Sequence, residues 1–386
     1  MSKRDFIPIT RPTFGPEEEK AVREVLRSGW VTQGPKVAAF EKEFARLTGA
    51  RYASAVSSCT TALHLALKAA GVGPKDEVIT VSHSFVATAA SIRYLGAVPV
   101  FADIEPSSFN IDPRRIEPLI TPRTRAILCV HQIGMPCDMP AILRIARRHK
   151  LFVIEDAACA IGSEIRAGRH WEKIGKPHGD AACFSFHPRK VMTTGDGGMI
   201  TTRHASWDRK FRLWRQHGMS VTDLARHGGR RPVVESYVEL GFNYRMTDLQ
   251  AAVGRVQLRR LGGMVRRRRV LARRYTQKLQ GITGLAAPAE PPGVRSNFQS
   301  YCVRLPEGVS QKRVMTCLLK EGIAVKTGIL CAHREPVFTR EPFRAGTLTQ
   351  SERAQDTAIL LPLYDSLQTA EQDRVIRALA AALERR

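Results

Sequence analysis

Lys190 lies in the segment CFSFHPRKVMTTGDGGMITT (residues 183–202), after a run in which aromatics alternate with polar residues and before a glycine-rich turn. Upstream, Asp156 ends the apolar run of LFVIEDAACAIG. An amine and a carboxylate of this kind are what pyridoxal 5′-phosphate (PLP) requires. The amine forms a Schiff base with the cofactor aldehyde, and the carboxylate keeps the pyridine nitrogen protonated so that the ring can accept carbanion electrons. The same lysine can carry a proton between substrate carbon and cofactor carbon. A surface lysine is the competing reading for Lys190. Against it stand Ser185 and His187 alternating with Phe184 and Phe186, and Gly195, Gly197 and Gly198, which allow a tight backbone turn nearby. Asp156 competes with a helix cap or a metal ligand; no second Asp or His cluster accompanies it, so no metal site is expected. Glu155 should point the opposite way if the strand continues.

The segment AVSSCTTALHLALKAAG, from Ala55, places Ser57, Ser58, Thr60 and Thr61 where a strand gives way to a helix. Open backbone N–H groups at a helix start, with hydroxyls beside them, make a phosphate seat; plain capping by Ser58 or Thr60 is the alternative. In VSHSFVATAAS, Phe85 follows a strand end, where a flat aromatic could stack on a pyridine ring or simply fill the core.

These groups need a frame. Short apolar runs at 52–56, 77–81, 98–101, 126–130 and 151–155 alternate with helical patterns at 61–70, 87–95, 113–120 and 140–149, after helices at 16–28 (Pro16 at its start, Gly29 at its end) and 37–47. Apolar strands alternating with helices predict an α/β fold with a mostly parallel sheet covered on both faces. Ligands bind beyond the carboxyl ends of such strands, where Asp156 stands. After Phe242 the pattern changes to two long helices, 247–261 and 265–280, then the loop AAPAEPPGVRSN. A smaller α+β part follows: a strand at 298–305, a helix at 311–321, a short strand at 323–326 and a terminal helix from Ala370. The expected division is a large domain over 1–255 and a smaller one over 256–386, in keeping with a length beyond one core's comfortable size. Residues 221–236, rich in Arg, Gly and His, read as an exposed loop.

With 60 Lys and Arg against 36 Asp and Glu, the net charge is +24. That favours phosphate-rich ligands. The densest cluster, residues 258–279, spaces Leu261, Val265, Ala272, Tyr275 and Leu279 near helical periodicity with arginines between them, as in a surface helix with one buried stripe. No helix-turn-helix, zinc or RNA-binding signature accompanies the charge, so nucleic acid is not the expected partner. The eight cysteines form no C-x-x-C pair and several lie in apolar runs, which fits reduced thiols in the cytoplasm. The start MSKRDFIPIT does not read as a signal peptide, and no run is long enough to span a membrane.

Over nearly its whole length the chain resembles the DegT-type, or StrS-type, sugar aminotransferases, which share the type I PLP-transferase fold of aspartate aminotransferase. The likeness runs through IPITRPTFGPEEEKAVREVLRSGWVTQGPKVAAFEKEFA, SSCTTALHLAL, DEVITVSHSFVATA, ITPRTRAILCVHQIGMPCDM, VIEDAACAIG, FSFHPRKVMTTGDGGM, VELGFNYRMTDLQAAVGRVQL and LPLYDSL. The resemblance implies a PLP-dependent aminotransferase that takes an amino group from glutamate or glutamine and gives it to a nucleotide-linked keto-deoxy sugar. It implies Lys190 as the Schiff-base lysine, Asp156 as partner of the ring nitrogen, Phe85 as stacking aromatic, and Thr60 and Ser185 as phosphate ligands. Ser58, Cys59, Cys159 and His187 would also touch the cofactor. Asn243 would reach the phosphate from a neighbouring subunit, which implies a homodimer with shared active sites. His333, Trp30, Thr32 and Arg245 would contact the substrate. Two departures stand out: many members carry Gln or His where this chain has Cys159, and VHQIGMP replaces a common VHLYGQP. Relatives that dehydrate sugars carry His at the lysine position, so Lys190 points to transamination. A cyclitol or other non-nucleotide ketone as acceptor, and a regulatory nucleic-acid-binding protein on the same scaffold, are the alternatives.

Overall fold

A computed structural model describes residues 6–221 and 234–384; most of the stretch 221–236, expected to be an exposed loop, lies outside the described residues. The strands, in chain order, are β1 (Tyr52–Val56), β2 (Glu77–Val81), β3 (Val98–Ala102), β4 (Thr124–Val130), β5 (Phe152–Asp156), β6 (Glu164–Ala167), β7 (His170–Lys173), β8 (Ala181–Ser185), β9 (Gly198–Thr202), β10 (Val294–Arg295), β11 (Tyr301–Arg304), β12 (Lys326–Thr327), β13 (Arg344–Ala345) and β14 (Ala358–Leu361). The helices are α1 (Pro16–Ser28), α2 (Pro35–Thr48), α3 (Cys59–Ala69), α4 (Val86–Arg93), α5 (Met139–His149), α6 (Ala205–Trp214), α7 (Asp248–Leu279), α8 (Gln311–Lys320), α9 (Thr349–Thr357) and α10 (Thr369–Glu384).

The central sheet has eight strands in the order β1-β9-β8-β5-β4-β2-β3-β13. Only β9 runs antiparallel to its neighbours. Valine, isoleucine and alanine fill these strands because both faces are covered. One face packs on a core that includes Phe40 and Phe44 of α2 and Leu258, Leu261 and Val265 of α7. The other packs on Leu63, Leu67 and the α6 aromatics Trp207, Phe211 and Trp214. A third core gathers Ile7, Tyr275, Tyr301, Val314, Ile359 and Leu379 around the small sheet β11-β14-β12.

Three expectations need correcting. The helix expected at 113–120 is a pair of short 3-10 turns, Pro113–Arg115 and Glu117–Leu119; Pro118 has no N–H to continue a helix. The two helices expected at 247–261 and 265–280 are one, α7, which runs through Gly262 and Gly263 and across the expected domain boundary at 255/256. Each glycine costs a helix roughly 1 kcal/mol, but both are exposed, while Leu261, Met264 and Val265 around them are buried and hold the helix down. Finally, the arginines of α7 are not all solvated. Arg268 is 2 % exposed and donates from one guanidinium nitrogen to the carbonyls of Phe298, Gln299 and Leu363. Its burial pulls its pKa down to about 10. The expected buried stripe of α7, Leu261 to Leu279, is buried throughout.

Candidate active site

Strand β5 ends in Glu155 and Asp156, whose side chains alternate across the sheet as strand geometry requires. Asp156 is buried on the α3 side. Its Oδ2 accepts the Thr88 hydroxyl at 2.9 Å and its Oδ1 accepts the Ala158 amide at 3.1 Å. Burial pushes its pKa above the ordinary value, opposed by those two donors and by Lys190. Glu155 is buried on the other side, where it accepts from His131 Nε2 at 3.0 Å and from the amides of His178 and Gly179, each at 2.8 Å. The Cys137 amide donates to Nδ1 of His131 at 3.0 Å, so that nitrogen carries no proton and Nε2–H faces Glu155.

Lys190 comes from the loop after β8, the neighbour of β5 in the sheet, with Asp156 opposite Cys183. The loop is closed by Phe186, whose amide donates to Gly197 and whose carbonyl accepts from Thr194 and the Thr193 hydroxyl. Phe184 and Phe186 anchor it from beneath, their rings 5.1 Å and 5.4 Å from those of Phe44 and Phe40. The Lys190 amide donates to the His187 carbonyl at 2.8 Å, and its Nζ donates to Cys159 Sγ at 3.1 Å. Burial alone would pull the amine's pKa down, yet Cys159, Cys59 and Asp156 hold it above the ordinary lysine value.

Helix α3 begins beside this pair. Ser58 is its N-cap: its hydroxyl accepts the Thr61 amide at 3.2 Å, and the Thr61 hydroxyl in turn accepts the Ser58 amide at 3.1 Å. The capping reading therefore holds for the Ser58 side chain. The amides of Cys59 and Thr60, in the first turn, have no carbonyl within the helix to bond and point with the positive end of the helix dipole. Gly198 lets strand and helix meet here, since a Cβ on it would lie 2.5 Å from the Ser58 carbonyl carbon and oxygen. In the sheet Gly198 sits between Val56 and Ser185, so the half-buried Ser185 belongs to the same end as Thr60. Cys59 is buried with its Sγ 3.5 Å from the Cys183 carbonyl and 4.0 Å from Asp156 Oδ1, and burial drives its pKa well up.

The other expected residues are placed as follows. Phe85, the N-cap of α4, is 73 % exposed, so the core-filling alternative does not apply to it. His187 is exposed and its Nδ1 accepts the Arg189 amide at 3.2 Å. His333 lies at the end of β2: the Ser82 hydroxyl sits 2.6 Å from its Nδ1, and its Nε2 is 3.1 Å from Glu352. Asn243 is exposed and bridges to Gln216, and Arg245 is half-buried in the segment that leads into α7. Trp30 donates its indole N–H to the Gln33 carbonyl at 3.1 Å, while Thr32 is exposed and gives its carbonyl to the Asp248 amide.

Residues that sequence reasoning passed over hold this arrangement. Thr88, one turn beyond Phe85, fixes Asp156. Asp248 accepts the amides of Gly34, Lys36 and Val37 at 2.9–3.0 Å, which ties the start of α2 to α7. Asn297 donates to the carbonyls of Cys159 and Ile161, each at 2.8 Å. Thr88 and Asp248 lay in motifs already quoted, without a role assigned to either; Asp248 and Asn297 act across more than a hundred residues of chain.

The donor set suits PLP. A buried carboxylate with two neutral donors and no cation paired directly to it can take a pyridinium N–H. A nearby amine can take an aldehyde carbon, and an open helix start with hydroxyls can take a phosphate.

The sequence pattern of the DegT/DnrJ/EryC1/StrS aminotransferase family matches residues 12–380. The chain is 39 % identical over 384 residues to the spore coat polysaccharide biosynthesis protein SpsC of Bacillus subtilis (strain 168), covering 98 % of this chain and 97 % of that one. Among solved structures, the aminotransferase TlmJ from Streptoalloteichus hindustanus superposes with a TM-score of 0.89 at 34 % identity, covering 98 % of this chain and 99 % of that chain. Helicobacter pylori PseC, an aminotransferase involved in the biosynthesis of pseudoaminic acid, superposes with a TM-score of 0.90 at 26 % identity and the same coverage.

Proposed function

This chain belongs to the DegT/DnrJ/EryC1/StrS aminotransferase family of PLP-dependent transaminases, and from that premise we propose that it moves an amino group from glutamate or glutamine onto a nucleotide-linked keto-deoxy sugar. The observation that carries the reading is the convergence of Lys190, Asp156 and the start of α3 at the carboxyl ends of β8, β5 and β1, with β9 inserted between β1 and β8. A sugar acceptor is favoured because two relatives have named roles in polysaccharide and pseudoaminic acid biosynthesis. The net charge of +24 would draw in a diphosphate.

Bound here, PLP would carry the amino group between the two substrates and take up the electrons left behind when a substrate carbon loses its proton. Asp156 would keep a proton on the ring nitrogen, held in place by Thr88 and the Ala158 amide. Lys190 would hold the cofactor and, once released, move the proton at the substrate carbon. The Cys59 and Thr60 amides, with the Thr60 and Ser185 hydroxyls, would bind the phosphate. Phe85 would cover one face of the ring, and Cys159 and His187 would border it.

Asn243 would come from a second copy. The exposed side chains of Val234, Tyr237, Val238 and Leu240 offer apolar surface for that contact. Trp30, Thr32, Arg245 and His333 would meet the substrate. The large domain (1–255) would carry the cofactor and the smaller one (256–386) would close the substrate side, in a cytoplasmic enzyme; among the described residues no helix is long and apolar enough to cross a membrane.

The test is an amino-transfer assay with glutamate and glutamine as donors and a panel of keto sugars, each offered free and as its nucleoside diphosphate ester, beside a cyclitol ketone. The reading predicts turnover that requires the nucleotide. Equal turnover of the free ketone, or of the cyclitol, would replace it with a non-nucleotide acceptor. Sedimentation of the same protein should give a dimer.

A further inference from the structure

We propose that Cys159 is a positioning residue for Lys190: its thiol is the rest on which the amine sits whenever it is not joined to the cofactor. The inference builds on the reading of Lys190 given above. Nζ donates to Sγ at 3.1 Å, and among the described residues the amine makes no other hydrogen bond. An aminotransferase frees its lysine once in every half-reaction, and a butylamine chain with four rotatable bonds would then wander unless something held its end.

The position of the sulfur is fixed by its backbone. The turn after β5 is closed by Ala158 N–H on Asp156 Oδ1 at 3.1 Å and by Ala160 N–H on the Ala157 carbonyl at 2.9 Å. Asn297, fully buried, clamps the carbonyls of Cys159 and Ile161 through one amide nitrogen. Asn297 is itself oriented by the Gln299 amide on its Oδ1 at 2.8 Å and by its own amide on Ser163 Oγ at 3.0 Å. The clamp needs Gly134, where an added Cβ would fall 1.9 Å from Asn297 Oδ1. On a backbone pinned in this way, a side chain with a single heavy-atom torsion places its sulfur in one of three wells.

The chemistry of sulfur suits a temporary partner. It is a weak acceptor, so it can hold an ammonium in place and still give the amine up. A second carboxylate at the same point would bind the amine more firmly and compete with the aldehyde for it. The titratable groups around Lys190 are Cys159 from this turn, Cys59 from the start of α3, Asp156 from the end of β5 and His187 from its own loop. Burial works against the charged amine, and Cys159 is foremost among the groups that offset it. Without that sulfur, the amine should lose its proton at lower pH.

The experiment uses the full-length chain freed of cofactor, with circular dichroism checking its fold. Reductive methylation across a pH series is read at Lys190 by peptide mass spectrometry. In Cys159→Ala the pH of half-modification should fall by about one unit relative to wild type, with Cys159→Ser in between. On adding PLP, the rate at which the visible band rises, divided by the neutral fraction of the amine given by the same midpoints, should be about tenfold lower in Cys159→Ala and partly restored in Cys159→Ser. An unchanged half-modification pH in both variants overturns the proposal, whatever happens to activity. Borohydride labelling of the wild-type holoenzyme separates the two levels of the argument. A label on Lys190 together with an unmoved midpoint rejects the role of Cys159 alone, whereas a label on another lysine rejects the reading of Lys190 and this proposal with it.

Discussion

Glu155 and Asp156, neighbours in the chain, face opposite sides of the central sheet: Glu155 Oε2 meets His131 Nε2 at 3.0 Å, and Asp156 Oδ2 meets the Thr88 hydroxyl at 2.9 Å. The pleat thus gives two adjacent carboxylates separate work. One is wholly enclosed by protein donors, whose hydrogen bonds hold its pKa well below the carboxylate range against its burial. The other keeps acceptor capacity toward the cofactor side.

Substituting them should separate stability from turnover. Glu155→Gln places an amide against three donors and should cost about 3 kcal/mol of stability, read by denaturant unfolding. Asp156→Asn should fold nearly normally and slow proton removal from substrate by about 100-fold or more, read by single-turnover kinetics. Near-normal turnover in Asp156→Asn would mean that the ring nitrogen has another partner.

Gly198 is where strand β9 and the start of α3 come closest. Gly198→Ala should push the Cys59 and Thr60 amides away from the phosphate. PLP binding should weaken about tenfold, ~1.4 kcal/mol, with Lys190 still able to react. Titration of the cofactor by fluorescence checks this, and unaltered affinity would place the phosphate elsewhere.

Asp248 holds three amides at the start of α2. Asp248→Ala leaves those donors open and should lower stability by about 2 kcal/mol, measurable in urea. The loss should be largely recovered by Asn, which keeps an acceptor oxygen.

Two buried histidines predict acid sensitivity. Burial lowers His64 from 6.5 to about 4 and His83 from 6.5 to about 3. As pH falls below 6.5 the unfolded chain takes up protons that these folded sites refuse until about 4 and 3. Stability should therefore decline across that window, by at most about 1.4 kcal/mol per pH unit for each group. The thermal midpoint should drop between pH 7 and pH 5, and His64→Gln should make the drop shallower. A midpoint that stays level over that range would contradict the assignment.

Much of this was legible in the chain. The strand that ends at Asp156 announced itself because a doubly covered strand is a continuous apolar run, whereas β8 before Lys190 showed only as aromatics alternating with polar residues and β9 was not anticipated; caps such as Pro16 and Gly29 bound α1 where expected. The continuity of α7 was hidden because Gly262 and Gly263 carry a local breaking signal that distant packing overrides. Arg268 looked like its solvated neighbours, since only the folded chain brings the carbonyls of 298, 299 and 363 to it. The same reason hid Asp248 and Asn297, whose partners lie more than a hundred residues away in sequence.

The most direct test of the account is to reduce the PLP-loaded protein with borohydride and map the modified peptide. The account predicts a pyridoxyl group on Lys190, absent from Lys190→Ala, which should keep its fold and lose turnover. A pyridoxyl group on any other lysine, or turnover surviving in Lys190→Ala, would contradict it.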